Sequence, residues 1–220
     1  MSGSRVRREK LTMAFGKHWE WRGFGPLPPE LLGRIAALPL IFPRPQHLTD
    51  EYLWLPASPI NVKLRMRSLK LKRLLQSENG LEEWLEDSDE NYPFPLSPVA
   101  IQQLCDELRA RLPSLPREPV AWDKFPELLR AMEPSPRIIA VEKKRWQRKY
   151  EDERFGEAVT VEVAEIFSPE RIVSVGLEHP SAEGVARVRD ALGLPGPLRR
   201  LSYLEALGIW ASGSRLAAGG

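Results

Sequence analysis

Positive charges alternate with apolar side chains in one short stretch of the sequence, 61-NVKLRMRSLKLKR-73. Six of its residues are Lys or Arg and none is acidic, and Lys63, Arg65 and Arg67 fall on every second residue. Because successive side chains of a β-strand point to opposite faces, a strand here would carry one apolar face and one row of cations. On an open sheet that row would simply face water. Inside a closed barrel it would need water or anions beside it, since buried like charges are costly.

The same alternation occurs in other parts of the chain. Lys143 and Arg145 lie two residues apart, and Arg22 follows Glu20 at the same spacing. Further acids, Glu165 and Glu178, lie on segments that also read as strands. A polyanion such as triphosphate would balance the cations, with arginine making bidentate contacts and lysine acting as a point charge.

These side chains must be positioned by an ordered set of strands and helices. Helix-start signals and periodicity predict helices over 28–38, 97–112, 122–132, 182–192 and 202–207, the second opened by Ser97 and Pro98. Strands are predicted over 18–25, 51–55, 61–75, 81–86, 137–150, 158–167 and 171–179, with a tight turn near Ser68 and Leu69. Strands outnumber long helices and do not alternate with them, which predicts an α+β fold with an antiparallel sheet.

The composition is that of one globular domain. The chain has 220 residues, a net charge of +2 and a single cysteine, Cys105, so it holds no intrachain disulfide or cysteine-based zinc site. No run approaches the roughly 20 apolar residues of a membrane helix, so no membrane is expected as a partner, and the lone cysteine suits a cytoplasmic location. We expect a flexible basic arm over 1–16, one domain over 17–210 and a flexible tail over 211–220.

The order of these motifs resembles the CYTH, or triphosphate tunnel metalloenzyme, superfamily. Its opening strand motif, Glu-x-Glu-x-Lys, corresponds to 18-HWEWR-22 in this chain. The likeness covers roughly residues 18–207. Its other parts, in chain order, are 28-PPELLGRI-35, 50-DEY-52, 64-LRMR-67 followed by Lys70 and Lys72, 143-KKR-145, 162-EVAEIF-167, 172-IVSVGLEH-179, 192-LGL-194 and 202-SYLEAL-207.

The resemblance implies an antiparallel β-barrel, or tunnel, of about eight strands with helices packed outside. It also implies Mg²⁺ or Mn²⁺ as cofactor, held by carboxylates that suit hard cations, and a phosphorylated small molecule or polyphosphate as ligand. The residues expected to bind phosphate are Arg22, Arg65, Arg67, Lys72, Lys143 and Arg145. Those expected to hold metal are Glu20, Glu165 and Glu178, with His18 as a further candidate. Glu20 is the expected catalytic residue.

The sequence also departs from the family pattern. His18 replaces the first acid of the opening motif, and Ser174 and Gly176 stand where further acids are common. Fewer carboxylates hold a hard dication less firmly, and a neutral histidine prefers softer metals than Mg²⁺. His18 has a second interpretation, as a histidine that is only hydrogen-bonded at a strand start. Metal-dependent phosphohydrolase activity is therefore expected to be weakened or lost.

Three functions stay open at this point. The chain is a tunnel-type triphosphatase, or a non-catalytic tunnel or scaffold that binds a phosphorylated ligand, or a nucleic-acid-binding domain that exposes its basic strands. Lys63 lies outside the matched motif and receives no role. Trp19, Trp21 and Trp54 are expected to pack the outer wall of the barrel against helices.

Overall fold

The chain folds around a strongly curved antiparallel sheet. The computed structural model describes residues 16–56, 58–86, 91–154 and 156–216, so residues 1–15 of the predicted arm and 217–220 of the predicted tail lie outside the described part. The strands are β1 Gly16–Phe24, β2 Gln46–Trp54, β3 Ile60–Arg65, β4 Ser68–Glu78, β5 Leu81–Glu86, β6 Asn91–Pro93, β7 Arg137–Tyr150, β8 Val159–Ser168, β9 Ile172–His179 and β10 Arg199–Arg200.

Eight of these strands close into a barrel. Their order is β1-β5-β4-β3-β2-β7-β8-β9, and β9 pairs with β1 to complete the circle. All pairings are antiparallel, and the closing pair sets Glu20 opposite Glu178 and Arg22 opposite Gly176. The short β6 and β10 pair with β4 and β1 outside this circle. The prediction of an α+β fold with an antiparallel barrel of about eight strands is confirmed.

The described residues form five α-helices outside the wall of strands, and two of them begin at a side-chain cap. The Ser97 side chain accepts a hydrogen bond from the backbone N–H of Ala100 at 3.2 Å, and Ser202 and Glu205 form a capping box. The second helix ends at Leu108, before the predicted 112, because Arg109 adopts a left-handed conformation. The helices are α1 Pro29–Ala36, α2 Pro98–Leu108, α3 Phe125–Ala131, α4 Ala182–Ala191 and α5 Tyr203–Ala211.

Four helices cover the outer faces of the strands. The α2 and α3 helices pack on β2, β3 and β4 through one core cluster, in which Val62 and Leu64 are buried. The α1 and α4 helices pack on β1, β8 and β9 through a second cluster. Trp21 is buried in this second cluster and Trp19 packs against it. On the strands that these helices cover, an apolar face points outward, which leaves the opposite face for the barrel interior.

The fifth helix, α5, plugs one end of the barrel. A third core cluster joins Tyr203 and Trp210 of α5 to Phe24, Tyr52 and Val141. Each of the last three residues lies two positions from an inward-facing charged residue of its own strand, so it shares the inner face. The predicted position of Trp54 is corrected here, because its ring packs on Gly208 of α5 rather than on the outer wall. Leu216 is also buried in this cluster, so the packed chain continues past the predicted tail boundary at 211. No helix of the described residues has the length and hydropathy needed to cross a membrane.

Candidate functional site

The inner faces of the strands enclose a cavity of about 610 Å³. Its charged lining comes from β1, β3, β4 and β5 and from β7, β8 and β9. Seven cations outnumber four glutamates and the buried Asp50 beside them, which leaves an excess of positive charge inside the barrel when all are ionised. The cations are Arg22, Lys63, Arg65, Lys70, Lys72, Lys143 and Arg145, and the glutamates are Glu20, Glu86, Glu162 and Glu178.

Four of the cations surround two buried carboxylates close to the α5 plug. We call Arg22, Arg65, Lys143 and Arg145, with Asp50 and Glu162 between them, the arginine cluster. Asp50 is fully buried and accepts two hydrogen bonds from Arg65, at 2.5 Å from Nε and 2.6 Å from Nη2. The Lys143 ammonium lies 3.7 Å from the same carboxylate. Burial alone would raise the pKa of Asp50, but the hydrogen bond from Arg65 and the nearby lysine charges lower it.

The second carboxylate, Glu162, bridges two arginines from different strands. Arg22 donates to one of its oxygens at 3.2 Å and Arg145 to the other at 3.1 Å. Arg145 also donates to the side chain of Gln46 at 2.7 Å. Burial would raise the pKa of Glu162, but the charges of Arg22, Lys143 and Arg145 outweigh it and lower the pKa to about 2. Glu162 is therefore ionised and fixes the two guanidinium groups.

A glycine makes room for the innermost arginine. A Cβ at Gly176 would lie 2.8 Å from Nη2 and 3.0 Å from Cζ of Arg22, closer than side chains normally approach. The guanidinium group also stacks over the Tyr203 ring, 5.3 Å from its centroid, and donates to Ser174 at 3.4 Å. Ser174 and Gly176 stand where the family pattern commonly has acids. Their small side chains leave the space that the Arg22 guanidinium group occupies.

A second group of charged side chains lies further along β1 and β9. We call His18, Glu20 and Glu178 the acid cluster, since one ligand atom from each lies within 4.8 Å of the others. His18 Nε2 is 3.1 Å from Glu20 and 3.7 Å from Glu178. Burial would lower the pKa of His18, but the hydrogen bond to Glu20 and the charge of Glu178 raise it. Burial, together with the charge of Glu20, raises the pKa of Glu178.

The acid cluster already contains a cation. The Lys72 ammonium donates a hydrogen bond to Glu20 and lies 5.2 Å from the ring centre of Trp84. Burial would lower the pKa of Lys72, but Glu20, Glu178 and Glu86 attract the charged form and raise it. Two carboxylates and a histidine are suitable donors for Mn²⁺. They fit a metal poorly here, because the Lys72 ammonium is hydrogen-bonded to the Glu20 carboxylate that a metal would need as a ligand.

Two lysines of the cavity make no ion pair with a described residue within 4.0 Å. Lys63 and Lys70 pair directly across β3 and β4 and both face the cavity. Burial, with the charges of Arg65 and Lys143, lowers the pKa of Lys63 to about 7. The sequence assigned Lys63 no role because it lies outside the family motif, whereas its parity with Arg65 would have placed it in the cavity.

Two of the residues predicted for the site do not reach the cavity. Arg67 lies in the β3–β4 turn, exposed and with a positive φ of 56°, so the alternation of cations ends at Arg65. The turn is at residues 66–67, earlier than the predicted Ser68 and Leu69. Glu165 is three residues from Glu162 on β8, which places it on the opposite face of the strand. The other predicted residues, Arg22, Arg65, Lys72, Lys143, Arg145, Glu20, Glu178 and His18, all line the cavity.

Sequence reasoning missed the two carboxylates of the arginine cluster. Asp50 stands in the quoted motif 50-DEY-52 but received no role. The inward position of Glu162 could have been predicted from the alternation in β8. The valines at 159, 161 and 163 lie on the outer face, so Glu162 lies on the inner one.

Comparisons with known proteins describe the fold alone. No known protein-family profile matches the chain, and no curated protein matches its sequence. A conserved hypothetical protein from Pyrococcus furiosus has a similar structure, with TM-score 0.51 and 20% identity over 86% of this chain and 98% of that one. The PH1819 protein from Pyrococcus horikoshii has TM-score 0.45 and 16% identity over 86% and 97%. The PH1012 protein from the same organism has TM-score 0.43 and 14% identity over 84% and 98%.

These observations define a class of protein. The fold is a closed antiparallel barrel with a charged, tunnel-like interior, consistent with the shape that the CYTH resemblance implies. The likeness to the Pyrococcus furiosus protein supports the fold over most of the chain and carries no activity with it.

Proposed function

We propose that the barrel binds a triphosphate or another small, multiply phosphorylated anion in its cavity. The observation that carries this proposal is the surplus of cations inside a closed wall of strands. Seven lysines and arginines share the cavity with four glutamates. Such a surplus is costly in a buried space, and a multiply charged anion is the ligand that would neutralise it best.

The geometry of the arginine cluster supports phosphate as the anionic group. Asp50 and Glu162 hold Arg65, Arg22 and Arg145 in fixed orientations, and a fixed guanidinium fork is suited to two oxygens of one phosphate. Lys63 and Lys70 stand across the cavity as point charges. A volume of about 610 Å³ lies within the range of small-molecule sites.

The two other functions receive less support from the geometry. Nucleic-acid binding by exposed basic strands needs the cations outside, whereas Lys63, Arg65, Lys72, Lys143 and Arg145 line the interior. Hydrolysis with Mg²⁺ or Mn²⁺ needs Glu20 and Glu178 as metal ligands, and Lys72 already binds Glu20. The proposal is therefore binding, with metal-dependent phosphohydrolase activity lost.

Thermal unfolding with tripolyphosphate tests this proposal. A ligand that binds only the folded state raises the melting temperature with concentration. We expect tripolyphosphate to raise Tm in the wild type. In Arg145→Gln the affinity should fall about tenfold or more, because a charged hydrogen bond contributes about 1.5–3 kcal/mol.

The matched control is Lys144→Gln, the next residue of β7. Its side chain points to the other face and lies over Trp146, so the shift with tripolyphosphate should be kept. A wild-type protein that responds to single-stranded RNA or DNA in a salt-dependent way, and not to tripolyphosphate, would contradict the proposal in favour of nucleic-acid binding.

A further inference from the structure

We infer that Lys72 is a built-in cation that takes the place of a divalent metal at the acid cluster, so the tunnel binds its phosphorylated ligand without a metal ion. The part of this inference that concerns the ligand rests on the proposed function. The part that concerns the metal rests on the acid cluster alone, where Lys72 donates to Glu20 beside His18 and Glu178.

The path of the lysine side chain is set by the order of the strands. Lys72 lies on β4, and β5 separates β4 from β1 in the barrel. Trp84 stands on β5 opposite His18 of β1, and its ring lies beneath the Lys72 ammonium at 5.2 Å. The lysine therefore reaches across one strand to Glu20, and the indole face stabilises the charge on the way.

This arrangement leaves no good place for a dication. A metal at the acid cluster would bind the Glu20 oxygen that accepts from Lys72 and would lie close to that ammonium group. A metal that displaced Lys72 from Glu20 would leave a partly desolvated ammonium without its partner, because the Lys72 side chain is 20% exposed and that of Glu20 is 13% exposed. Since the lysine is part of the chain, its local concentration cannot be diluted as that of a metal can.

The arrangement also gives the acid cluster a role in the proposed function. An ammonium group has three donors and no acceptor. One donor of Lys72 goes to Glu20, and the others are available to a ligand in the cavity that Lys72 lines. His18 in turn contacts Glu20 at 3.1 Å. We therefore assign Glu20 and His18 as positioning residues for a phosphate-binding lysine.

Direct Mn²⁺ titration of the wild-type protein is the first test. Electron paramagnetic resonance of free Mn²⁺ reports binding without any phosphate ligand or turnover. We expect no specific Mn²⁺ site in the wild type, and we expect the tripolyphosphate affinity in excess EDTA to equal or exceed that with Mn²⁺. Stoichiometric Mn²⁺ binding to the wild type, or tripolyphosphate binding that disappears in EDTA, would overturn the inference.

Two methionine variants sharpen the test. Lys72→Met removes the ammonium and leaves His18, Glu20 and Glu178 in place, so a stoichiometric Mn²⁺ site should appear. Lys70→Met removes a cation from the same strand and the same cavity but has no contact with the acid cluster, so it should gain no site. A folded Lys72→Met protein that binds no Mn²⁺ would show that the lysine is not what excludes the metal.

The outcomes separate this inference from the proposed function. If the wild type binds neither Mn²⁺ nor tripolyphosphate while Lys72→Met gains Mn²⁺, the proposed ligand is wrong and the replacement of the metal by lysine stands. If tripolyphosphate binds only together with Mn²⁺, the proposed ligand stands and the replacement is wrong. The wild-type titrations decide the matter even where Lys72→Met does not fold.

Discussion

The arginine cluster and the acid cluster face the same cavity but balance their charges in opposite ways. In the arginine cluster, four cations share two carboxylates, and each carboxylate contacts two of the cations. In the acid cluster, two carboxylates and a histidine share one lysine ammonium. The arginine cluster therefore keeps an excess of positive charge for a ligand, whereas the carboxylates of the acid cluster surround one lysine.

One barrel thus holds many charges of both signs in its interior by pairing them differently in two regions. Carboxylates of the arginine cluster hold guanidinium groups in fixed orientations, which suits recognition of phosphate oxygens. In the acid cluster, burial raises the pKa of Glu178, whereas in the arginine cluster the surrounding cations lower the pKa of Glu162. The environment of the same residue type thus favours its ionised form at Glu162 and disfavours it at Glu178.

The largest expected effect is on Asp50, the fully buried anchor of the arginine cluster. Asp50→Asn removes the charge that Arg65 and Lys143 share and should lower the free energy of unfolding by about 3–5 kcal/mol, the usual loss when one partner of a buried pair is removed. Urea denaturation at neutral pH measures it. Asp152→Asn is the control, because Asp152 pairs with the exposed Arg154. Equal losses in both variants would contradict the anchoring role of Asp50.

A smaller loss is expected when the space beside Arg22 is filled. Gly176→Ala places a methyl group 2.8 Å from the guanidinium group and should destabilise the protein by about 1–3 kcal/mol through overpacking. It should also weaken tripolyphosphate binding. Gly33→Ala is the control, since a Cβ at Gly33 of α1 meets nothing within 4 Å and alanine favours a helix by about 0.5–1 kcal/mol. Undiminished binding by Gly176→Ala would remove Arg22 from the ligand site.

The pH dependence of two glutamine variants should differ in sign. The pKa of Glu162 is lowered from 4.5 to about 2, so its ionised form stabilises the fold above about 4.5 and this stability is lost as pH falls toward 2. Glu162→Gln should therefore destabilise the protein at neutral pH and converge with the wild type in acid.

The pKa of Glu178 is raised, so its ionised form opposes folding at neutral pH and the opposition is relieved as pH falls through that pKa. Glu178→Gln should stabilise the protein at neutral pH. Urea midpoints measured across acidic and neutral pH check both variants. A loss of stability at neutral pH in both would remove the contrast between the two clusters.

The smallest expected effect is a proton uptake at Lys63. Its pKa of about 7 lies below the ordinary 10.5, so the charged lysine opposes folding most below about pH 7, and stability rises as the pH increases toward 10.5. A bound polyanion should raise this pKa. We therefore expect tripolyphosphate binding at about pH 8 to take up a proton, measured by calorimetry in buffers of different protonation enthalpy. Lys63→Met should lose this uptake and Lys70→Met should keep it.

Much of the barrel could be predicted from the sequence. The helix start at Ser97 and Pro98 and the alternation in β1, β3 and β7 are local signals, and they placed these elements within a few residues of their observed ends. Local signals failed at the β3–β4 turn, because a shift of two residues in a turn decides whether Arg67 faces the cavity or the solvent. Lys63 received no predicted role because it lies outside the family motif, although it shares the inner face of β3 with Arg65.

From the sequence one can tell which side chains of a strand share a face, because the two-residue period of a strand is a property of the local backbone. The sequence did not determine which of them meet. The contacts of Glu162 with Arg22 and Arg145, and the reach of Lys72 across Trp84 to Glu20, join strands that are distant along the chain. Only the closure and register of the barrel bring them together, because hydrogen bonds between strands, rather than local spacing, fix the distances across its interior.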